Sequence, residues 1–181
     1  VYSGAIAGTA YASVRHLAAE IKRVVLLGPA HRVAFKGIAV PSADAHATPL
    51  GDIPVDWQGV AGALALPQVH INDAAFENEH SLEVNLPFLQ RALGEFALVP
   101  LLVGDARSEG LEQVLRKLWG GPETLIVIST DLSHFHDYDA AQKLDASATR
   151  AIETFNVEGL SGELACGFRP LSGLLRAAQR L

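Results

Sequence analysis

Between Thr124 and Asp137 the chain reads TLIVISTDLSHFHD. A short aliphatic, β-branched run of this kind reads as a strand buried on both faces. Asp131, His134, His136 and Asp137 crowd in directly after it. Open α/β sheets bind ligands outside the carboxyl ends of their strands, so polar residues at that place read as a site. The pattern recurs at Val24–Leu27, which runs through Gly28-Pro29-Ala30 into His31. A third aliphatic run, Leu98 to Val103, ends in Gly104-Asp105.

The stretches between these runs carry helical signals. Residues 5–20 are rich in small residues and free of proline, which predicts a helix packed closely on a sheet. Asp56 is a suitable N-cap for a helix reaching about Leu66. Leu82, Leu86, Leu89 and Leu93 predict an apolar stripe on a helix starting near Asn78 or Glu79, with Pro87 either kinking it or marking its true start. Further helices are predicted over 108–119, 139–155, 157–164 and 170–181, the last with Pro170 in its first turn. Val33 to Val40 is predicted as another strand, ended by Pro41, and residues 42–52 as loop. Strands alternating with long helices imply parallel crossovers. The fold class is therefore α/β, a layered α/β/α domain with a mostly parallel central sheet.

A chain of 181 residues that is 49% hydrophobic has enough apolar side chain for one core, and residues 1–181 are read as a single domain. Val1 begins in mid-pattern and Leu181 falls inside an expected helix, so truncation at both ends is expected. No apolar run approaches the ~20 residues of a membrane span. A net charge of −6 with scattered Lys and Arg argues against nucleic acid and membrane surfaces as partners. One cysteine, Cys166, excludes an internal disulfide and fits a cytoplasmic setting.

The titratable residues each carry two readings. His31 follows a Gly-Pro turn that presents it at a strand end; alone, it reads as a partly exposed loop histidine, and the second cluster after Ile128 shifts it towards a site. Asp131, His134 and His136 offer imidazole and carboxylate, which ligate Fe, Zn, Cu and Mn and also move protons; the competing reading is a helix cap. His80 and Glu83 stand at i and i+3 and share a face. Cys166 is either a ligand for a soft or borderline metal or a small buried apolar residue. His16, His46 and His70 read as structural or solvent-facing. No phosphate loop and no nucleophile elbow is present.

Several blocks together resemble the Memo family. They are Tyr2-Ser3-Gly4, Leu27-Gly28-Pro29-Ala30-His31, Thr48-Pro49-Leu50-Gly51, Asn78-Glu79-His80-Ser81-Leu82-Glu83 with Leu86-Pro87-Phe88, Val103-Gly104, Ser129-Thr130-Asp131-Leu132-Ser133-His134, and Cys166-Gly167 with Pro170. The resemblance implies the fold of the class III extradiol ring-cleaving dioxygenases, non-haem iron enzymes with two histidines and a glutamate on the metal. A cysteine replaces that glutamate in Memo proteins. By resemblance, His31 and Cys166 are metal ligands, with a further histidine upstream of Val1. Asp131, His134 and His80 line the same pocket as proton-handling groups, and His136 is a weaker match.

The implied function is a metal-binding redox protein, dioxygenase-like, using iron or copper on an unknown small molecule. Thiolate in place of carboxylate softens the site and brings zinc in as an alternative. Two other readings stand beside it. One is a non-enzymatic protein that binds a peptide or partner in the same pocket; the other is a zinc-dependent hydrolase. The resemblance also implies pathway partners of radical SAM and AMMECR type.

Overall fold

The computed structural model describes residues 3–180. Val1, Tyr2 and Leu181, which entered the readings above, lie outside them. Helix α1 (Gly4–Ser13) and a 3-10 turn lead to β1 (Arg23–Pro29). β2 (Ile38–Val40) and the short pair β3 (Ala45–His46) and β4 (Ile53–Pro54) follow. Next come α2 (Trp57–Leu64), β5 (Val69–Ile71), α3 (Leu86–Leu93) and β6 (Ala97–Val103). α4 (Ser108–Leu118), β7 (Thr124–Ile128), α5 (Tyr138–Glu153) and α6 (Phe168–Gln179) complete the order.

The main sheet has the order β5-β2-β6-β1-β7. β6–β1, β1–β7 and β2–β5 pair in parallel, and β2–β6 is antiparallel. Side chains alternate across each strand. Val24, Leu26, Leu98 and Leu102 pack with Leu86, Leu89 and Leu93 of α3. Val25, Leu27, Val99, Leu101 and Val103 pack on the other side with Val60 of α2, Leu111, Val114 and Leu115 of α4 and Ala177 of α6. The sheet is thus sandwiched between two helical layers, an α/β/α architecture. Each fully buried Val or Leu contributes on the order of 2 kcal/mol.

Pro100 lies within central strand β6, where a proline removes a ladder donor. The Leu98 carbonyl accepts from the Asp56 amide on the outer edge of β6. Alternate residues share an edge, so Pro100 faces the same way. It falls between the Val55–Leu98 bridge and the β2 pairing at Leu102 and Val103, where no strand asks for its donor.

Asp56 caps α2 by accepting from the Gly59 amide at 3.0 Å, and it pairs with Arg23 at the start of β1. Burial works against its charge. The Gly59 amide and Arg23 outweigh that and hold its carboxyl below the usual range. Asp56→Ala removes both contacts and is expected to cost about 2 kcal/mol, measurable by urea denaturation at neutral pH.

Several elements differ from their predicted extents. The first helix ends at Ser13, and only a 3-10 turn continues it at Arg15–Leu17. The second strand is three residues, Ile38–Val40, because 33–37 turn through Gly37 at φ +84. Residues 42–52 contain β3, and β5 was not predicted: three residues are too few to show a period. Residues 78–85 are not α-helix. Asn78 sits at φ 57, a 3-10 turn spans Glu83–Asn85, and α3 starts at Leu86 with Pro87 in its first turn. Residues 157–164 form only a 3-10 turn, Val157–Gly159. β7 is half-buried at every position rather than buried on both faces, because it is the edge strand of this sheet.

Candidate functional site

The carboxyl ends of neighbouring strands β1 and β7 carry two small assemblies. The first is built on Glu79. Positive φ at Asn78 turns the chain so that the Glu79 carboxylate enters the protein, where its side chain is 3% exposed. Its Oε2 accepts from the His31 amide at 2.5 Å. Its Oε1 accepts from the His80 and Ser81 amides at 2.9 and 3.0 Å and lies 3.2 Å from His31 Nδ1. Burial alone would raise this carboxyl. The hydrogen bonds from the His31 and Ser81 amides and the His31 ring reverse that and hold it at about 2.

An ionised carboxylate only accepts hydrogen bonds. In the neutral form of the His31 ring, Nδ1 is therefore the nitrogen that carries the proton toward Glu79 and Nε2 is the one with the free lone pair. Carboxylates commonly orient metal-bound or basic imidazoles in this way. The His31 side chain is 49% exposed, so Nε2 is not sealed in the core. Gly28, in β1, makes the approach of the 79–82 loop possible: a Cβ there would meet Leu82 Cδ2 at 2.8 Å and Ser81 Oγ at 2.9 Å.

The second assembly is built on Cys166. Its Sγ accepts from the Asp131 amide at 3.2 Å, and its own amide donates to the Asp131 carbonyl at 3.1 Å. Thr130 Oγ1 lies 3.7 Å from the sulfur and accepts from the Gly167 amide at 2.8 Å. The loop after β7 and the start of α6 are therefore laced together around the thiol. Cys166 is half-buried and forms no disulfide. The Ser3 hydroxyl reaches the Asp131 carboxylate at 3.5 Å.

The other predicted residues engage locally. His80 pairs with Glu83 at 3.0 Å, with both side chains largely exposed, a contact of small energetic value. The His134 ring lies 3.0 Å from the Leu132 carbonyl and edge-on to Phe135, and both it and His136 are exposed. Among the described residues, no group of three or more His, Cys, Asp and Glu lies close enough to hold a metal ion. His31 Nε2 and Cys166 Sγ are suitable donors, so the described residues offer part of a ligand set. A cavity of about 830 Å³ lies elsewhere, lined by Lys22, Ile53, Arg91 and Phe96 near the amino ends of β1 and β6.

Sequence reasoning named His80 and passed over its neighbour Glu79, which does the orienting. The available signal was Asn78, a residue type that tolerates the left-handed turn. Thr130 was likewise missed, since a hydroxyl following a strand has no pattern of its own.

No helix of the described residues is long and apolar enough to cross a membrane. The chain matches the family model of the Memo-like protein over residues 1–180. A MEMO1 family protein of Aquifex aeolicus is 38% identical over 165 residues, 88% of this chain and 60% of that protein. The Protein memo-1 homolog of Caenorhabditis elegans is 30% identical, over 94% of this chain and 56% of its own length. A MEMO1 family protein of Methanosarcina mazei is 30% identical over the whole of this chain and 70% of its own. The chain thus spans somewhat more than half the length of the first two relatives. On these matches, the chain belongs to the Memo-like protein family.

Proposed function

We propose that this is a cytoplasmic metal-binding redox protein. His31 and Cys166 are its ligands within this chain, and a further histidine lies upstream of Val1. The observation that carries the reading is the buried Glu79 carboxylate 3.2 Å from His31 Nδ1, which orients the ring so that Nε2 of its neutral form is the nitrogen free to ligate, just beyond a strand's carboxyl end. The Cys166 sulfur at the adjacent strand end is the second support. Bound iron or copper would supply one-electron and oxygen chemistry to a small-molecule substrate. The protein's own part is to orient His31 through Glu79 and to handle protons at Asp131, His134 and His80. Radical SAM and AMMECR-type proteins are the proposed pathway partners.

The test is elemental analysis of the protein expressed from its full reading frame, reconstituted anaerobically. Near-stoichiometric iron or copper is expected, falling at least tenfold in Cys166→Ala and in His31→Ala. Absence of bound metal in the unsubstituted protein would sink the reading. Zinc alone would move it towards hydrolysis.

A second reading is favoured by Phe135, which is 99% exposed beside His134, and by the exposed Tyr138. Such a surface suits a peptide or protein partner. Retained metal binding with loss of a partner in Phe135→Ser would support it.

A further inference from the structure

The amide of Asn85 joins the two assemblies. Its Nδ2 donates one hydrogen to the Ser81 carbonyl at 2.8 Å and the other to Ser129 Oγ at 3.1 Å. Its Oδ1 accepts from the Tyr11 hydroxyl at 2.7 Å. Both donors of the amide are thereby used. Ser81 belongs to the loop whose amide holds Glu79. Ser129 is the residue before Thr130, and its amide donates to the Leu27 carbonyl of β1 at 2.7 Å. The contacts come from segments 44 and 74 positions away. No single replacement supplies two donors and one acceptor in this shape: aspartate lacks both donors, and leucine fills the space with neither.

We infer that Asn85 is a positioning residue, which holds the His31–Glu79 pair and the Cys166–Asp131 loop in one fixed relation. Whether that relation serves a metal rests on the reading proposed above. The tie itself does not.

The test uses the protein from its full reading frame, with Co(II) as the probe. Asn85→Leu is expected to weaken Co(II) binding about tenfold, to lower the sulfur-to-cobalt charge-transfer band per bound ion, and to let protonation at Nε2 appear in the long-range ¹⁵N spectrum of His31. Ser129→Ala is expected to affect the charge-transfer band and leave the His31 tautomer alone. The double variant is expected to match Asn85→Leu, because the hydroxyl acts through the amide. Additive losses, or an Asn85→Leu protein with a lowered thermal midpoint and both spectra unchanged, would overturn the inference. Should Asn85→Leu not fold, Tyr11→Phe unseats the same amide and carries the same two spectra; no change in either overturns the tie. If the unsubstituted protein takes up no cobalt, the metal reading falls, and the ¹⁵N spectra still decide the tie.

Discussion

Replacing Glu79 with glutamine is expected to cost about 3 kcal/mol at neutral pH and to erase an acid-sensitive component of stability. Both carboxylate oxygens accept backbone amides, Oε2 from His31 and Oε1 from His80 and Ser81. Glutamine returns one acceptor and sets a donor against a donor at the other. The pH dependence follows from the proton count. The unfolded chain binds this proton near 4.5 and the folded protein at about 2. Between those values the unfolded state holds more protons, so stability rises with pH across that window. The contribution is complete above it and is lost as pH falls through it. Urea denaturation of both proteins at several pH values from 6 down to about 2 checks this. Parallel acid slopes would show that the carboxylate is not the source.

Gly167→Ala is expected to cost about 2 kcal/mol and to free the thiol. A Cβ at 167 would stand 2.6 Å from the Ser129 carbonyl oxygen and 2.7 Å from Thr130 Cβ. The first contact is backbone at the end of β7 and cannot rotate away. The chain must instead lift, carrying Cys166 off the Asp131 amide. Alkylation of Cys166, the chain's single cysteine, should then quicken, and denaturant midpoints should fall. Gly162→Ala is the control. A Cβ there comes only within 3.4 Å of Phe168 Cε1, so stability and alkylation should stay near those of the unsubstituted protein. Equal alkylation rates in all three proteins would show that Gly167 does not seat the loop.

The layers were legible because β1, β6 and β7 are continuous aliphatic runs and α4 keeps a clean apolar stripe through Leu111, Val114, Leu115 and Leu118. The sequence signal failed where tertiary contact decides. Ile38–Val40 and Val69–Ile71 are three residues each and owe their strand character to their neighbours in the sheet. Leu82 belongs to the apolar stripe yet precedes the helix: the His80 and Ser81 amides donate to the Glu79 carboxylate, and the Ser81 carbonyl accepts from the Asn85 side chain. At the candidate site, His31 and Cys166 are proposed from the blocks that resemble the family. Their partners could not be named in that way. Glu79 and Glu83 are indistinguishable as residue types; one is 3% exposed and the other 67%. Glu79 follows the left-handed Asn78 and is held by backbone amides, whereas Glu83 opens a 3-10 turn and meets the His80 ring. His80 was the conspicuous residue of its block, and it faces solvent.

Pro100 has a reach well beyond its own strand. Pro100 offers a carbonyl and no N–H, so β2 forfeits one ladder hydrogen bond if it slides towards the amino end of β6. Its pairing stops at Leu102 and Val103. The loop carrying His31 leaves β1 at one end and enters β2 at the other, and both strands are measured against β6. The proline therefore acts as a register stop, setting the second anchorage of a loop that begins some seventy residues earlier in the chain. A substitution that restores the donor, such as Pro100→Val, would leave an apolar residue in the core and still alter the protein. It would open a second alignment of β2, and with it a second placement of His31.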